Sequence, residues 1–264
     1  MVSMTSDWMT RSYDRYFETG YYEHRYPAPN PATLRLAVAQ TAAAGPRVVD
    51  FGCGSGRYAG ALLAETDARV IGYDVSHVAL DRLRQRCGSH VASGRLLPVG
   101  YDLDALAEAA RGWGGVDLVM LLFGVLGHIQ GRQGRHEVLR TLHDMLRPGG
   151  RIMLSVPNAR QRFHRERRET ASHAHASELE PGDIVYTRQH GGDAITLYYH
   201  LYEPGELEAE LAGSGFRLLD VHAESVLPER AVVTSGLSAA ADHLLAAVLP
   251  LRFAYGFLAV AEAA

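Results

Sequence analysis

Short apolar runs alternate with stretches of helical periodicity over most of the first 156 residues. Val48 to Phe51, Val70 to Tyr73, Val116 to Phe123 and Ile152 to Val156 are compact runs closed by Gly, Asp or Pro. Such runs suit strands buried on both faces of a parallel sheet. The segments between them read as helices. Asn30 and Pro31 offer an N-cap and a first-turn proline for a helix through Leu34 and Val38 that stops at Gly45-Pro46. Tyr58, Leu62 and Leu63 line one face of a helix that opens after Gly56. Ser76 caps another, ending near Cys87-Gly88. Residues 103–111 form a short helix, followed by a Gly112–Gly115 turn in which Trp113 packs at an edge. Val138, Leu139, Leu142, Met145 and Leu146 mark the apolar face of a helix over residues 132–146.

The pattern changes after Pro157-Asn158. Asp183–Arg188 and Ala194–Tyr199 read as two strands joined around Gly191-Gly192, a hairpin signal. Period-two alternation puts Ile195, Leu197, Tyr199 and Leu201 on one face and Thr196, Tyr198, His200 and Tyr202 on the other. A helix starts at Pro204-Gly205-Glu206-Leu207 and ends near Gly213-Ser214-Gly215. Phe216–Val221 is a strand, residues 237–249 a helix and residues 253–261 a last strand. At the N-terminus, Tyr13, Tyr16 and Phe17 share one helical face within a segment rich in aromatics. The expected fold class is α/β.

The strand ends carry the candidate chemistry. Asp50 closes the first run, and Gly52, Gly54 and Gly56 follow at alternate positions. The order is strand, glycine turn, helix, which aims helix N-terminal amides at whatever the turn holds. The dinucleotide fingerprint G-x-G-x-x-G does not fit, because its third glycine would fall on Arg57. An acid ahead of the first glycine repels a pyrophosphate and accepts hydrogen bonds from an ammonium group or water. Asp74 ends the second run, where ribose hydroxyls are gripped in nucleotide-binding sheets. Asp102, within Val99-Gly100-Tyr101-Asp102-Leu103, ends the third apolar segment, and Leu146-Arg147-Pro148-Gly149-Gly150 turns into the fifth.

These motifs, in this order, resemble those of the class I S-adenosylmethionine (SAM) dependent methyltransferases across residues 46–156, with the remainder similar more loosely. The resemblance implies a Rossmann-like seven-stranded sheet of order 3-2-1-4-5-7-6 with strand 7 antiparallel. It implies SAM as cofactor, S-adenosylhomocysteine (SAH) as product, and cofactor contacts at Asp50, Gly52, Cys53, Gly54, Gly56, Asp74, Val75, Asp102, Leu103 and Phe123. Asp102 resembles the acid placed near the adenine amino group. Arg25, close to Tyr22, offers a fork of donors for the methionine carboxylate. The implied domains are an N-terminal lid (1–29), a cofactor-binding core (30–156), an inserted acceptor cap (157–203) and the rest of the core (204–264). Substrate contacts fall to Tyr13 and Tyr21 in the lid and to Tyr198 and Tyr202 on the polar, aromatic face of the hairpin. Within Gly124–Ile129, His128 lies where family members place groups beside the reacting methyl. His128 and His200 are the candidate bases, with structural roles as the alternative. The stretch Tyr198-Tyr199-His200-Leu201-Tyr202 is also similar to one in tRNA wobble-uridine methyltransferases.

Composition narrows the function classes. The net charge of −4 argues against a nucleic-acid surface. All 26 basic residues are Arg, so a lysine nucleophile or Schiff base is excluded. Two cysteines make no disulfide framework, and Cys53 reads as a small filler in the glycine turn. No signal core or eighteen-residue apolar run is present, so a cytoplasmic protein without a membrane span is expected. His173 and His175 lack a third ligand at metal-site spacing, and no metal is expected. The Arg160, Arg162, Arg165, Arg167, Arg168 run reads as a solvated helix face, with a phosphate-binding patch as the alternative. The expected activity is methyl transfer to an O or N atom of a small molecule, in biosynthesis. A tRNA-modifying methyltransferase and a SAM-binding cyclase or isomerase remain open, as does a homodimeric assembly.

Overall fold

The computed structural model describes residues 7–171, 179–190, 192–203 and 205–264. His173, His175, Gly191 and Pro204 lie outside them. Three helices lead in: α1 (Asp7–Glu18), α2 (Tyr21–Arg25) and α3 (Pro31–Ala44). Then come β1 (Arg47–Phe51), α4 (Arg57–Glu65), β2 (Arg69–Tyr73), α5 (His77–Arg86), α6 (Gly88–Ala92), β3 (Leu96–Val99), α7 (Leu103–Gly112) and β4 (Val116–Leu121). A 3-10 turn at Val125–His128 leads to α8 (Arg132–Met145), β5 (Leu146–Pro157) and α9 (His164–Ala171). The hairpin β6 (Asp183–His190) and β7 (Asp193–His200) precedes α10 (Glu206–Ala212), β8 (Phe216–Ser225), α11 (Glu229–Thr234), α12 (Gly236–Val248) and β9 (Gly256–Ala263).

Seven strands form one sheet in the order β3-β2-β1-β4-β5-β9-β8. Counting only these strands, this is 3-2-1-4-5-7-6. β1 to β5 pair in parallel, while β9 runs antiparallel to both β5 and β8. Both faces are buried, which explains the continuous apolar runs. Val49, Ile71, Val119 and Leu121 pack on one face with Leu139 and Leu142 of α8. Val48, Val70, Leu118 and Met120 pack on the other with Leu62 and Leu63 of α4.

The expected caps are present. Asn30 Oδ1 accepts from Ala32 N at the start of α3, and Ser76 Oγ accepts from Ala79 N at the start of α5. Several boundaries differ from the sequence reading, and β5 starts at Leu146 rather than at Ile152. β3 ends at Val99, so Asp102 is the N-cap of α7 rather than a strand end. β8 extends to Ser225. The last strand begins at Gly256, because Pro250 starts a 3-10 turn over Leu251–Phe253.

The hairpin forms a separate two-stranded sheet packed on α1, where Met9 meets Ile195, Leu197 and Tyr198. Among the described residues, no helix is long and apolar enough to cross a membrane. The sheet's strand order reverses between β1 and β4, and the loops leaving their carboxyl ends diverge there. Ligands of open α/β sheets bind in that crevice.

Candidate active site

The crevice is a cavity of about 150 Å³ walled by the glycine turn, the ends of β1, β2 and β4, α1 and α2, the 3-10 turn and the hairpin. At Gly52 the backbone takes φ 76°, and a Cβ there would come within 2.5 Å of Val125 Cγ2. Only glycine lets the turn pass so close under the 3-10 segment. On the opposite side, Gly124 also has positive φ, and a Cβ on it would overlap the Tyr199 hydroxyl. Among the described residues, the two non-glycine residues with positive φ, Phe123 and Phe163, both line the cavity. Strain of this kind concentrates at functional sites.

Asp50 is 2% exposed, and its Oδ2 has no hydrogen-bond partner. Burial, reinforced by the nearby Asp74 carboxylate, pushes its pKa up to about 7. Asp74 is pushed up to about 6 by burial, while the backbone N–H groups of Ser76 and Gly54 hold it down. Gly54 N donates to Asp74 Oδ2 at 2.7 Å, tying the glycine turn to the end of β2.

Facing these acids is Arg57, which the sequence reading did not single out. It occupies the first position of α4 and is 1% exposed. A cation at a helix N-terminus opposes the helix dipole, so a buried one needs negative partners. Glu229 supplies one oxygen at 3.4 Å, and Glu229 is itself held by Asn30 Nδ2 at 2.9 Å. Phe123 packs 4.2 Å and Tyr58 4.7 Å from the guanidinium carbon. Arg57 Nε and Nη2 still have no partner. The signal was its place, immediately after the third glycine.

His128 borders the same cavity. Its Nδ1 lies 2.8 Å from the Tyr198 carbonyl oxygen. A carbonyl only accepts, so Nδ1 carries the proton and Nε2 the lone pair. The ring stacks on Tyr199 at 4.1 Å and meets Tyr13 edge-on at 5.5 Å. Burial lowers its pKa to about 4, so the imidazole is neutral at pH 7.

Of the residues singled out from sequence, Asp50, Gly52, Cys53, Gly54, Asp74, Val75, Phe123, Tyr22, Tyr13 and His128 line the cavity. Gly56 stands behind it as the N-cap of α4. The others lie elsewhere. Arg25 is outside the lining and donates to the hydroxyls of Tyr26, a lining residue, and Tyr21, at 2.9 and 3.2 Å, and Tyr21 stacks on His190 at 4.4 Å. Asp102 accepts from Asp104 N, and with Leu103 stays outside the cavity lining.

The hairpin is turned opposite to expectation. Leu197 and Tyr199 face the cavity. The polar face instead meets a buried charge cluster. Arg135 of α8 is fully buried and pairs with Glu210 at 2.7 Å and Glu180 at 3.0 Å. Tyr198 donates to Asp183 at 2.6 Å, and Tyr202 donates to Glu210 at 2.9 Å. His200 bridges Asp183 at 2.7 Å and Glu206 at 3.2 Å. Burial opposes charge on His200, but hydrogen bonds to the two carboxylates outweigh it and raise its pKa. Tyr198, His200 and Tyr202 are therefore parts of this network, because burial of that face requires a polar partner for each.

The Arg160–Arg168 run also divides. Arg165 is 87% exposed on α9, as a solvated face requires, whereas Arg162 precedes the helix and turns into the cavity.

Residues 21–221 match the family model described as "Methyltransferase domain", and the chain belongs to that methyltransferase family. Solved structures with the same fold include the CcbJ methyltransferase from Streptomyces caelestis, at TM-score 0.61 and 20% identity, covering 90% of this chain and 91% of that one. The 1,6-didemethyltoxoflavin-N1-methyltransferase of Burkholderia thailandensis, with 1,6-didemethyltoxoflavin and SAH bound, gives TM-score 0.57 and 20% identity over 96% and 88% of the two chains. SAM-bound CalS10, an amino pentose methyltransferase from Micromonospora echinaspora, gives 0.58 and 15% over 94% and 96%. At these identities the likeness is one of fold. None of these three is named as a tRNA enzyme, and the Tyr198–Tyr202 stretch that suggested one faces the buried charge cluster on its polar side. No curated protein matches the chain.

Proposed function

We propose that this protein binds SAM over the glycine turn and transfers its methyl group to an oxygen or nitrogen of a small molecule. The carrying observation is the pairing, in one cavity, of two buried and unsatisfied groups of opposite sign. Asp50 Oδ2 lacks a donor, and Arg57 Nε and Nη2 lack acceptors. The ammonium and carboxylate of an α-amino acid complement that arrangement. Asp74, at the end of β2, suits ribose hydroxyls. Val75, Val125 and Phe123 suit the faces of the cofactor's apolar parts. That neighbours of this fold were solved with SAM or SAH bound supports the same reading.

When bound, SAM supplies an electrophilic methyl carbon, to which the acceptor's lone pair bonds as the carbon–sulfur bond breaks and its electron pair returns to sulfur. The chain's part is to orient the acceptor behind that carbon and keep water out, a contribution of up to roughly 7–11 kcal/mol in favourable cases. Tyr13, Tyr199 and the neutral His128 form the acceptor wall. His128 Nε2 accepts the proton that a hydroxyl or amine loses. The cavity is smaller than the roughly 300–1,000 Å³ of most ligand pockets. Helices α1 and α2 therefore act as a lid that opens outward to admit the cofactor and then packs over it, and the segment 157–203 as the acceptor cap.

The test uses methyl-labelled SAM with the purified protein and two pools, bulk tRNA and a small-molecule extract. Label in small molecules supports the reading and identifies the acceptor. Label in tRNA refutes it.

A further inference from the structure

Two guanidinium groups enter the cavity without a task in the scheme above. Arg162 and Arg188 both line it. Among the described residues, neither forms an ion pair or donates a hydrogen bond from its side chain, and Arg162 Nε is a buried donor with no acceptor. Both converge on one aromatic ring. The guanidinium carbon of Arg162 lies 5.0 Å from the centroid of Phe163, and that of Arg188 lies 5.6 Å from it. Tyr255 lies 4.5 Å beneath Arg162 and Tyr186 4.8 Å beneath Arg188. Phe163 itself is held at φ 58°, a backbone conformation that phenylalanine rarely adopts.

Aromatic faces steady a cation but do not accept its N–H groups in the guanidinium plane. These donors thus retain unmet hydrogen-bonding capacity in a partly dry site. Tyr186 and Tyr199 do not supply negative charge, since burial holds their hydroxyls protonated; that of Tyr186 is pushed up to about 12. His128, across Tyr199, is neutral. The acids of the site, Asp50 and Asp74, belong to the cofactor wall. Glu224 is the acid within electrostatic reach of Arg162, and burial pushes its pKa up to about 7, so two cations and several flat rings face one acid that is only partly ionised at neutral pH.

We propose that the acceptor is a planar ring compound bearing a carboxylate, which Arg162 and Arg188 bind through their guanidinium forks while Phe163, Tyr186 and Tyr199 hold the ring. Guanidinium geometry matches a planar carboxylate with two parallel hydrogen bonds. The same pair of charges discriminates against cationic acceptors. The assignment rests on the methyl-transfer reading for the word acceptor, but its physical content is the anion site.

Isothermal titration of the SAH-loaded protein with matched probes tests it: benzoate against benzamide, and indole-2-carboxylate against indole-2-carboxamide. Each carboxylate is expected to bind at least about ten-fold more tightly than its amide. Arg162→Gln and Arg188→Gln are each expected to erode that preference, while Arg188→Lys keeps part of it. SAH affinity and melting temperature, measured alongside, identify variants that have merely lost their fold, and the two positions provide independent trials. Amides that bind as well as carboxylates overturn the proposal, as does an undiminished preference in a folded double variant. If SAH does not bind the wild-type protein, the methyl-transfer reading fails instead. The carboxylate preference, titrated without SAH, then decides the anion site separately.

Discussion

Replacing Asp50 with Asn should move stability and cofactor affinity in opposite directions. The carboxylate is buried, faces a second acid, and has one oxygen without a partner. Its folded-state pKa is raised to about 7, so the folded protein binds its proton more tightly than the unfolded chain does. Stability is therefore lost as pH rises from the ordinary carboxylate range towards 7. Above that the penalty is complete, at most roughly 4 kcal/mol. Asn is nearly isosteric and carries no charge, so it removes this penalty. At pH 8 the unliganded variant should melt higher, by about 2–4 °C for each kcal/mol recovered. At pH 4 the two proteins should nearly coincide. Cofactor binding should respond the other way. A hydrogen bond to a charged partner is worth about 1.5–3 kcal/mol, which corresponds to roughly ten- to 150-fold weaker SAM and SAH binding by calorimetry. A variant that melts lower than wild type at pH 8, or binds SAH with unchanged affinity, would refute the reasoning. The first result would make Asp50 a structural acid, and the second would remove it from the ammonium contact.

Further outcomes are expected. With its pKa lowered to about 4, His128 is already neutral across pH 6–9, so the rate should show no His128 limb there. His128→Gln should lower kcat by about a hundred-fold or more if Nε2 takes the proton; a pH–rate profile of both proteins checks this. His200→Gln removes the cation held between Asp183 and Glu206, leaving Glu206 its longer pair with Arg132 at 3.6 Å, and should cost about 3–5 kcal/mol at pH 6, read from urea midpoints. Because the folded-state pKa of His200 is raised, its contribution is complete below about 6.5 and is lost as pH rises through the raised value, so wild type and variant should converge at high pH. Amide exchange in α1 and α2 should slow when SAH binds, because the lid closes over an occupied cavity; unchanged exchange in both helices would contradict a lid.

Much of the architecture was legible in the chain. The runs at Val48, Val70, Val116 and Ile152 are apolar throughout because both faces of those strands are covered, and no competing element shares that pattern. Asn30, Ser76 and the glycines at 52, 54 and 56 work through local backbone chemistry, which sequence spacing reports directly. Asp50, Asp74 and His128 reach the cavity because each stands at or just beyond the carboxyl end of a parallel strand, where the strand order alone fixes the position.

The hairpin and the arginines were not legible in the same way. Alternation along β7 separates Tyr199 from Tyr198, but it does not say which face meets the cavity. That was decided by Arg135, Asp183 and Glu210, whose burial draws the polar face to them and leaves the aromatic face for the site. Arg25, Arg57 and Arg162 are equal as letters. Arg25 stays behind the lining, held by the Tyr26 and Tyr21 hydroxyls, whereas Arg57 and Arg162 are carried inside by the first turn of α4 and the turn before α9. The sequence by itself determined the strand order's ingredients, the glycine turn and the acids at the strand ends, because those depend on neighbours a few residues away. Only the tertiary structure decided which cations face the ligand and which side of the hairpin lines the cavity. Desolvation and charge pairing depend on groups brought together from distant parts of the chain.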